Sequence, residues 1–310
     1  MCAGGDSRSL GPGSAAGRRS PGREGWPRRR SRCPSYAYCY HTSNESGMLT
    51  SYHNHTRHSD ASGTVRENAV AAQRESLDEL GISDHLALHP GGVQLKWSMS
   101  EAHLPDYVAD VLRFRESLKP RVRLGIEADY FPETVERLRA LLARHPFDFV
   151  LGSVHYADDF QIDQGTQSWK TLTAEGREAR WEVYWRRVAE MAQSRVFDIA
   201  SHLDLPKRFG YRDSEEAPPG ALKALDAIAE AGMAMELNAS GWFHLVQEPY
   251  PSLGLLREAR RRGIPVLVNA DSHRPEHVAR GLERGRALVR EAGYTEVVRF
   301  EGRKRFPIPL

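Results

Sequence analysis

Phe147-Asp-Phe-Val-Leu-Gly-Ser-Val-His155 and Ile264-Pro-Val-Leu-Val-Asn-Ala-Asp-Ser-His273 decide the fold. Each is a short, almost unbroken apolar run that ends on a polar side chain able to bind metal. A strand with one wet face alternates apolar and polar residues. A run that does not alternate is covered on both faces, as in a parallel sheet wrapped by helices. Similar segments recur outward from these two: Leu49–His53, Glu79–Ser83, Val122–Asp129, Phe197–Ser201 and Met233–Asn238. Amphipathic stretches follow them at Val65–Ser76, Pro105–Leu118, Pro132–Arg144, Ala174–Ser194, Pro219–Ala231, Ser252–Arg262 and Pro275–Ala292. An early proline opens the third and a glycine, Gly263, closes the sixth. Seven strand–helix units in regular alternation predict an α/β fold with a parallel sheet inside a layer of helices. No glycine-rich phosphate loop follows any strand, which weighs against a doubly wound sheet and for a barrel.

The 310 residues leave room for one barrel of about 250 residues plus an extension. With 40% hydrophobic and 27% charged residues, the chain has the composition of a soluble globular protein. The net charge of +2 is unevenly spread, because the first 33 residues hold eight arginines against two acids. The folded part is therefore slightly acidic, and no nucleic-acid partner is expected for it. Residues 1–47, rich in Gly, Ser, Pro and Arg, lack an apolar pattern and are expected to form a disordered extension. The barrel is expected to occupy 48–310. All three cysteines (Cys2, Cys33 and Cys39) precede residue 40, so no disulfide framework is expected and a cytoplasmic setting fits. No run of 18 apolar residues exists, so no membrane-spanning helix is expected.

The polar residues gather at one place in each unit. The strands end in His53-Asn-His55, then Asp60; in Ser83-Asp-His85; in Glu127-Ala-Asp129; in Ser153-Val-His155; in Ser201-His202; in Glu236-Leu-Asn238; and in Asp271-Ser-His273. The loops at the carboxyl ends of barrel strands share one face, where the catalytic side chains of such barrels collect. In an extended chain residues i and i+2 point the same way, so His53 and His55 can grip one ion, and likewise Asp271 and His273. A lone histidine at a strand end is ordinarily a hydrogen-bonded structural residue. Six histidines, two aspartates and a glutamate in one register are better explained by a metal centre. Imidazole with carboxylate suits Zn, Fe or Mn, and the absence of thiolates excludes a cysteine-type zinc site. Lys207 and Arg208 follow the fifth strand and are candidate phosphate contacts.

These motifs resemble the polymerase-and-histidinol-phosphatase (PHP) superfamily of metal-dependent phosphoesterases over roughly residues 49–301. Its opening His-x-His-Ser/Thr-x-x-Ser-Asp pattern is matched by His53-Asn-His-Thr-Arg-His-Ser-Asp60, and Gly-Ile-Ser-Asp-His85, Gly-Ile-Glu127, Gly-Ser-Val-His155, His202 and Asp271-Ser-His273 complete it. The resemblance implies a distorted (β/α)7 TIM-like barrel. It also implies three divalent ions. His53, His55, Glu127 and Asp271 would hold the first; Glu127 would bridge to a second, also held by His155 and His202; Asp60, His85 and His273 would hold the third. His58 is an alternative to Asp60. Glu127, Asp271 and His202 are thereby placed in catalysis as well as ligation. A hydroxide bridging two ions would attack phosphorus in line.

Within the superfamily, Gly-Ser-Val-His155 and His202-Leu-Asp-Leu-Pro-Lys-Arg-Phe-Gly210 are similar to the histidinol-phosphatases. This implies hydrolysis of L-histidinol phosphate, with other phosphate esters and an amidohydrolase-type barrel as the alternatives. Trp97 and Trp169 are candidate stacking partners for the substrate imidazole, and Asp158, Asp159 and Asp163 candidate partners for its amine. The remaining histidines, His41, His89, His103, His145, His244 and His277, are expected mostly at the surface. A chain that starts at Met48 is expected to match the full chain in melting temperature and turnover. A large loss of either on truncation would assign the extension a role in folding or catalysis.

Overall fold

The computed structural model describes residues 47–115, 119–211 and 217–310. The extension expected over 1–47 lies outside the described residues up to position 46, as do the three cysteines, His41 and the last residues of the expected helix Pro105–Leu118.

Seven parallel strand positions form a ring. They are β1 (Thr50–Ser51); β2 (Glu79–Ile82) continued by β3 (His85–Leu86); β4 (Arg121–Leu124) continued by β5 (Glu127–Asp129); β6 (Leu151–Ser153); β9 (Ile199–Ala200); β10 (Ala234–Asn238); and β11 (Val266–Asn269). A short antiparallel hairpin, β7 (Tyr156–Ala157) with β8 (Phe160–Gln161), follows the fourth position. The parallel pairing runs β1–β2–β4 and β3–β5–β6–β9–β10–β11. A parallel bridge between Asn54 and Ser272 closes the ring, with His55 N donating to Ser272 O at 2.8 Å. On the other side of the first strand Ser83 N donates to Asn54 O, also at 2.8 Å. The expected distorted seven-unit barrel is the fold.

The distortion has a packing cause. Strand positions two and three each break in the middle, and the Phe149 ring fills the space beside them. A Cβ on Gly125 would lie 2.1 Å from Phe149 Cζ, and one on Gly81 at 2.7 Å. Only glycine admits the ring there.

The outer layer consists of α1 (Val65–Arg74), α2 (Leu104–Phe114), α3 (Val135–Leu142), α4 (Thr166–Lys170), α5 (Ala174–Gln193), α6 (Pro219–Ala231), α7 (Leu253–Arg261) and α8 (Leu282–Glu291). The expected helix Pro275–Ala292 is two pieces, a 3-10 turn at Pro275–His277 and α8, separated by Gly281 at φ +83°. None of the described helices is long and apolar enough to cross a membrane.

The amino ends of the strands are sealed by a hairpin that no sequence pattern announced, β12 (Glu296–Glu301) and β13 (Lys304–Pro309). Val298 and Phe300 join Tyr52, Phe149, Leu151, Ile199 and Leu267 in a buried cluster inside the ring. Beside it, Tyr52 Oη donates a short hydrogen bond to Glu79, and Arg123 Nη2 donates to the other oxygen of that carboxylate at 2.6 Å. Arg123 also reaches Glu301 on the hairpin at 3.1 Å. A buried charge is tolerable when paired in this way. Phe300→Ala is expected to cost about 3 kcal/mol through lost burial and a cavity. That should lower the melting temperature by roughly 5–10 °C. An unchanged melting curve would show that the hairpin does not stabilise the barrel.

Candidate metal centre

At the opposite end, nine side chains predicted from strand-end positions converge on one cavity mouth. Glu127, at the start of β5, is fully buried at its centre. Its Oε2 faces His53 Nε2 at 3.1 Å, His55 Nε2 at 3.5 Å and His85 Nδ1 at 2.8 Å. Its Oε1 accepts from His202 Nε2 at 2.8 Å and faces His155 Nε2 at 3.7 Å. Asp271 Oδ1 lies 3.5 Å from His53 Nε2 and 3.4 Å from His55 Nε2. Asp60 Oδ1 faces His273 Nε2 at 3.3 Å and His85 Nε2 at 3.8 Å. Three sets of donor atoms are close enough for a shared cation: His53, His55 and Glu127; His85, Glu127 and His155; and His55, Asp60, His85 and His273. The second set puts His85 beside Glu127 and His155, where the family pattern implied His202.

The donors fit divalent cations on their own chemistry. His53 Nε2, both ring nitrogens of His55, His85 Nδ1 and Glu127 Oε2 are buried without a hydrogen-bond partner. Buried polar atoms are normally satisfied, and leaving one unmet costs about 1–3 kcal/mol. Four of the five, His53 Nε2, His55 Nε2, His85 Nδ1 and Glu127 Oε2, lie within 3.5 Å of the Glu127 carboxylate or belong to it, the arrangement a cation would satisfy. Burial, together with the neighbouring His85 and His273 rings, pulls His55 down to about 3, so it is neutral as a ligand must be. Burial also opposes charge on Glu127, but the surrounding imidazoles outweigh it and hold the carboxyl well below its ordinary value.

An outer layer orients the donors. His53 Nδ1 lies 3.0 Å from Glu236 Oε2, and His155 Nδ1 lies 2.5 Å from Asp129 Oδ1. A carboxylate can only accept, so both Nδ1 atoms carry the hydrogen and both Nε2 atoms offer a lone pair. For His155 burial works against charge, yet Asp129 outweighs it and pushes the imidazole up to about 10, so a cation bound at Nε2 would have to displace a proton there. Glu236 is itself held by Asn269 Nδ2 at 2.7 Å and Asn238 Nδ2 at 3.0 Å. Asp84 accepts from Thr56 N and Oγ1, each at 2.8 Å, and from Ser59 N and Oγ at 3.1 and 2.6 Å. The Thr and Ser of the opening motif therefore anchor the loop that carries Asp60. Sequence reasoning placed Glu236, Asp129 and Asp84 at strand ends without roles. Only Asp129 carried a signal, an acid on the strand next to that of its histidine; Glu236 stands two strands from His53, and Asp84 holds a threonine and a serine.

Asp271 Oδ1 lies 3.7 Å from His273 Nδ1, but the two do not fall in one donor set and the backbone between them is not extended. Asp271 has φ +51°, a left-handed turn that aspartate tolerates better than most residues. His58 is not near the third set. It faces His103 Nε2 at 2.8 Å and Asp110 Oδ2 at 3.1 Å.

The cavity over the cluster has a volume of about 590 Å³. Arg208 lines it, whereas Lys207 is a correction. The Lys207 ammonium is buried and donates to Asp204 Oδ2 at 2.9 Å and to Pro249 O at 2.8 Å. Residues Leu205–Phe209 form a 3-10 turn, so neighbours point about a third of a turn apart and only one of the two cations can face the mouth. Trp97 lines the cavity, with its ring 4.9 Å from His85 and 5.4 Å from His155. Trp169 is wholly buried and donates to Ile162 O, so it anchors its segment instead of meeting substrate. His244 and His277, expected at the surface, line the mouth, as does Arg280, stacked 3.4 Å over Phe243.

A family model described as the PHP domain matches residues 51–240. The chain is 36% identical over 253 residues to the Deinococcus radiodurans protein named "Probable histidinol-phosphatase", covering 80% of this chain and 94% of that one. It is 24% identical to the Lactococcus lactis "Histidinol-phosphatase", with 82% and 94% covered. The crystal structure of histidinol phosphate phosphatase from Lactococcus lactis, complexed with zinc, L-histidinol and phosphate, superposes with a TM-score of 0.70 at 22% identity. That match covers 83% of this chain and 98% of the other. Glu127→Gln is expected to bind less metal and to lose activity, since an amide cannot offer two anionic oxygens. Glu236→Gln should weaken metal binding roughly 10- to 100-fold by freeing the His53 ring. Metal analysis of the purified variants checks both; full metal content and turnover in Glu127→Gln would exclude the site.

Proposed function

Since this chain belongs to the PHP-domain family, we propose that it is a metal-dependent phosphatase that hydrolyses L-histidinol phosphate to L-histidinol and phosphate, in histidine biosynthesis. One observation carries the reading. The chain is 36% identical over 253 residues to a relative named for histidinol phosphate hydrolysis, and seven of the nine expected donors form sets that could hold a cation, with His202 and Asp271 in contact with them. The match to the PHP domain sets aside the amidohydrolase alternative.

On this reading up to three ions would be held as the family pattern implies: one by His53, His55, Glu127 and Asp271, one by Glu127, His155 and His202, and one by Asp60, His85 and His273. The observed donor groups support it through His53, His55 and Glu127, through His85, Glu127 and His155, and through His55, Asp60, His85 and His273. Zn, Fe or Mn suits such ligands. Bound there, divalent ions supply Lewis acidity and make hydroxide available from water at neutral pH.

The chain's own residues do the rest. Glu127 joins two donor sets through its two oxygens. The Glu236 and Asp129 carboxylates keep His53 and His155 in the tautomer that faces inward. Asp271 is steadied by Asn238 Nδ2 at 3.0 Å and Ser240 Oγ at 3.2 Å. Arg208 is half-buried at the mouth, and among the described residues its guanidinium has no carboxylate partner. It is placed to take phosphoryl oxygens in a two-pronged contact and to neutralise the charge that grows on them.

Steady-state comparison of L-histidinol phosphate with a panel of unrelated phosphate monoesters tests the substrate. A clear preference in kcat/KM is expected, and equal rates across the panel would remove the assignment. Arg208→Ala should keep its metal and lose roughly 30- to 1000-fold in turnover, the scale of one charged transition-state contact.

A further inference from the structure

The cavity over the metal centre is lined by four carboxylates: Asp60, Glu127, Asp271 and Asp163. The first three belong to the donor sets. Asp163 does not, and it stands between β8 and α4.

Its neighbours in sequence show what an aspartate of this segment does when its role is structural. Asp158 is ion-paired to Arg187 at 2.5 Å, and Asp159 to Arg180 at 3.1 Å; both arginines come from α5. These pairs fasten the β7–β8 hairpin to the outer helix, which removes Asp158 and Asp159 as substrate contacts. Asp163 has no ion-pair partner among the described residues. Its one hydrogen bond is from Gln161 Nε2 at 3.2 Å, a neutral donor that holds the carboxylate without neutralising it. His155, Tyr156 and Tyr250 all feel its charge. The side chain is half-buried, where a charge–charge contact is less screened than at an open surface.

An unneutralised carboxylate facing a cavity otherwise rich in cations (Arg208, Arg274 and Arg280 all line it) invites a positive group on the substrate. L-Histidinol phosphate carries one. Its ammonium sits on the carbon next to the ester carbon, so with the phosphoryl group over the metal centre the ammonium lies within a few ångströms of it. We propose that Asp163 is the specificity-determining residue that binds the substrate ammonium, selecting phosphate monoesters of amino alcohols over esters without an amine. The inference rests on the histidinol phosphate reading above.

The test compares L-histidinol phosphate with its deamino analogue, 3-(imidazol-4-yl)propyl phosphate, on the metal-loaded full chain. The native protein is expected to favour the amine-bearing ester. Asp163→Asn, which keeps the hydrogen bond but removes the charge, should lose on the order of 10- to 100-fold in kcat/KM on that ester, mostly through KM. Turnover of the deamino ester and metal content should not change, and Asp163→Glu should recover part of the loss. An equal fall on both esters would make Asp163 a structural residue, and no fall on either would make it a bystander; both results overturn the proposal. Equal use of the two esters by the native protein overturns it as well. If the native protein shows no preference for histidinol phosphate over unrelated monoesters, the functional reading fails instead, a result visible before any variant is made.

Discussion

Everything at the mouth of the barrel depends on one buried carboxylate. Glu127 has no contact with water, and an isolated anion in such a place would take up a proton instead of staying charged. It stays charged because five imidazoles from four other strand positions surround it, three on one oxygen and two on the other. The same geometry makes it the natural bridge between two cation sites. Each oxygen already belongs to a different set of donors. The imidazoles in turn depend on Glu127, because two of their inward nitrogens have no other partner. Carboxylate and histidines are tolerable inside the barrel only together.

That mutual dependence explains why the next layer is acidic. A histidine that offers Nε2 inward must keep its hydrogen on Nδ1, and an acceptor that never donates enforces this. Glu236 and Asp129 are such acceptors. Each lies on the strand beside or near its histidine, so barrel register and tautomer are set by the same backbone. Glu236 does a further job, since its Oε1 accepts the backbone N–H of His202 at 2.7 Å. One side chain thus orients His53 on the first strand and positions His202 on the fifth. Asp84 acts similarly on the loop that brings Asp60 to the third donor set.

The sequence exposed the repeating part of this design and hid the singular part. Seven buried strands, their helices and the nine donor positions were legible because each repeats a pattern with a period or a register. Lys207 and Arg208 were not separable, because which of two adjacent cations turns inward depends on a 3-10 turn begun by Asp204 at φ +60°. Trp97 and Trp169 were equivalent as letters; burial against Ile162 distinguishes the anchor from the cavity wall. Nothing in Glu296–Pro309 marks it as the plug of the barrel. Its strands pair with each other, and their packing against Tyr52 and Phe149 joins residues about 150 to 250 positions apart. The glycines at 81 and 125 read as ordinary strand residues until the Phe149 ring is seen to occupy their missing side chains.

The two ends of the barrel therefore obey opposite rules. At the amino ends of the strands the interior is largely apolar and capped, and the buried carboxylates there, Glu79 and Asp148, are paired with Arg123 and Arg115. At the carboxyl ends the interior is polar, partly unsatisfied and open. Unmet polar atoms, a left-handed aspartate at position 271 and an unpaired carboxylate at 163 all weaken a fold taken alone. They sit together at one end because the other end is built to hold the ring closed without them. Substitutions at the capped end should thus act on stability with little change in chemistry per folded molecule. At the open end a single substitution within the cluster strands the partners it leaves behind, so loss of chemistry there comes with a cost to the fold.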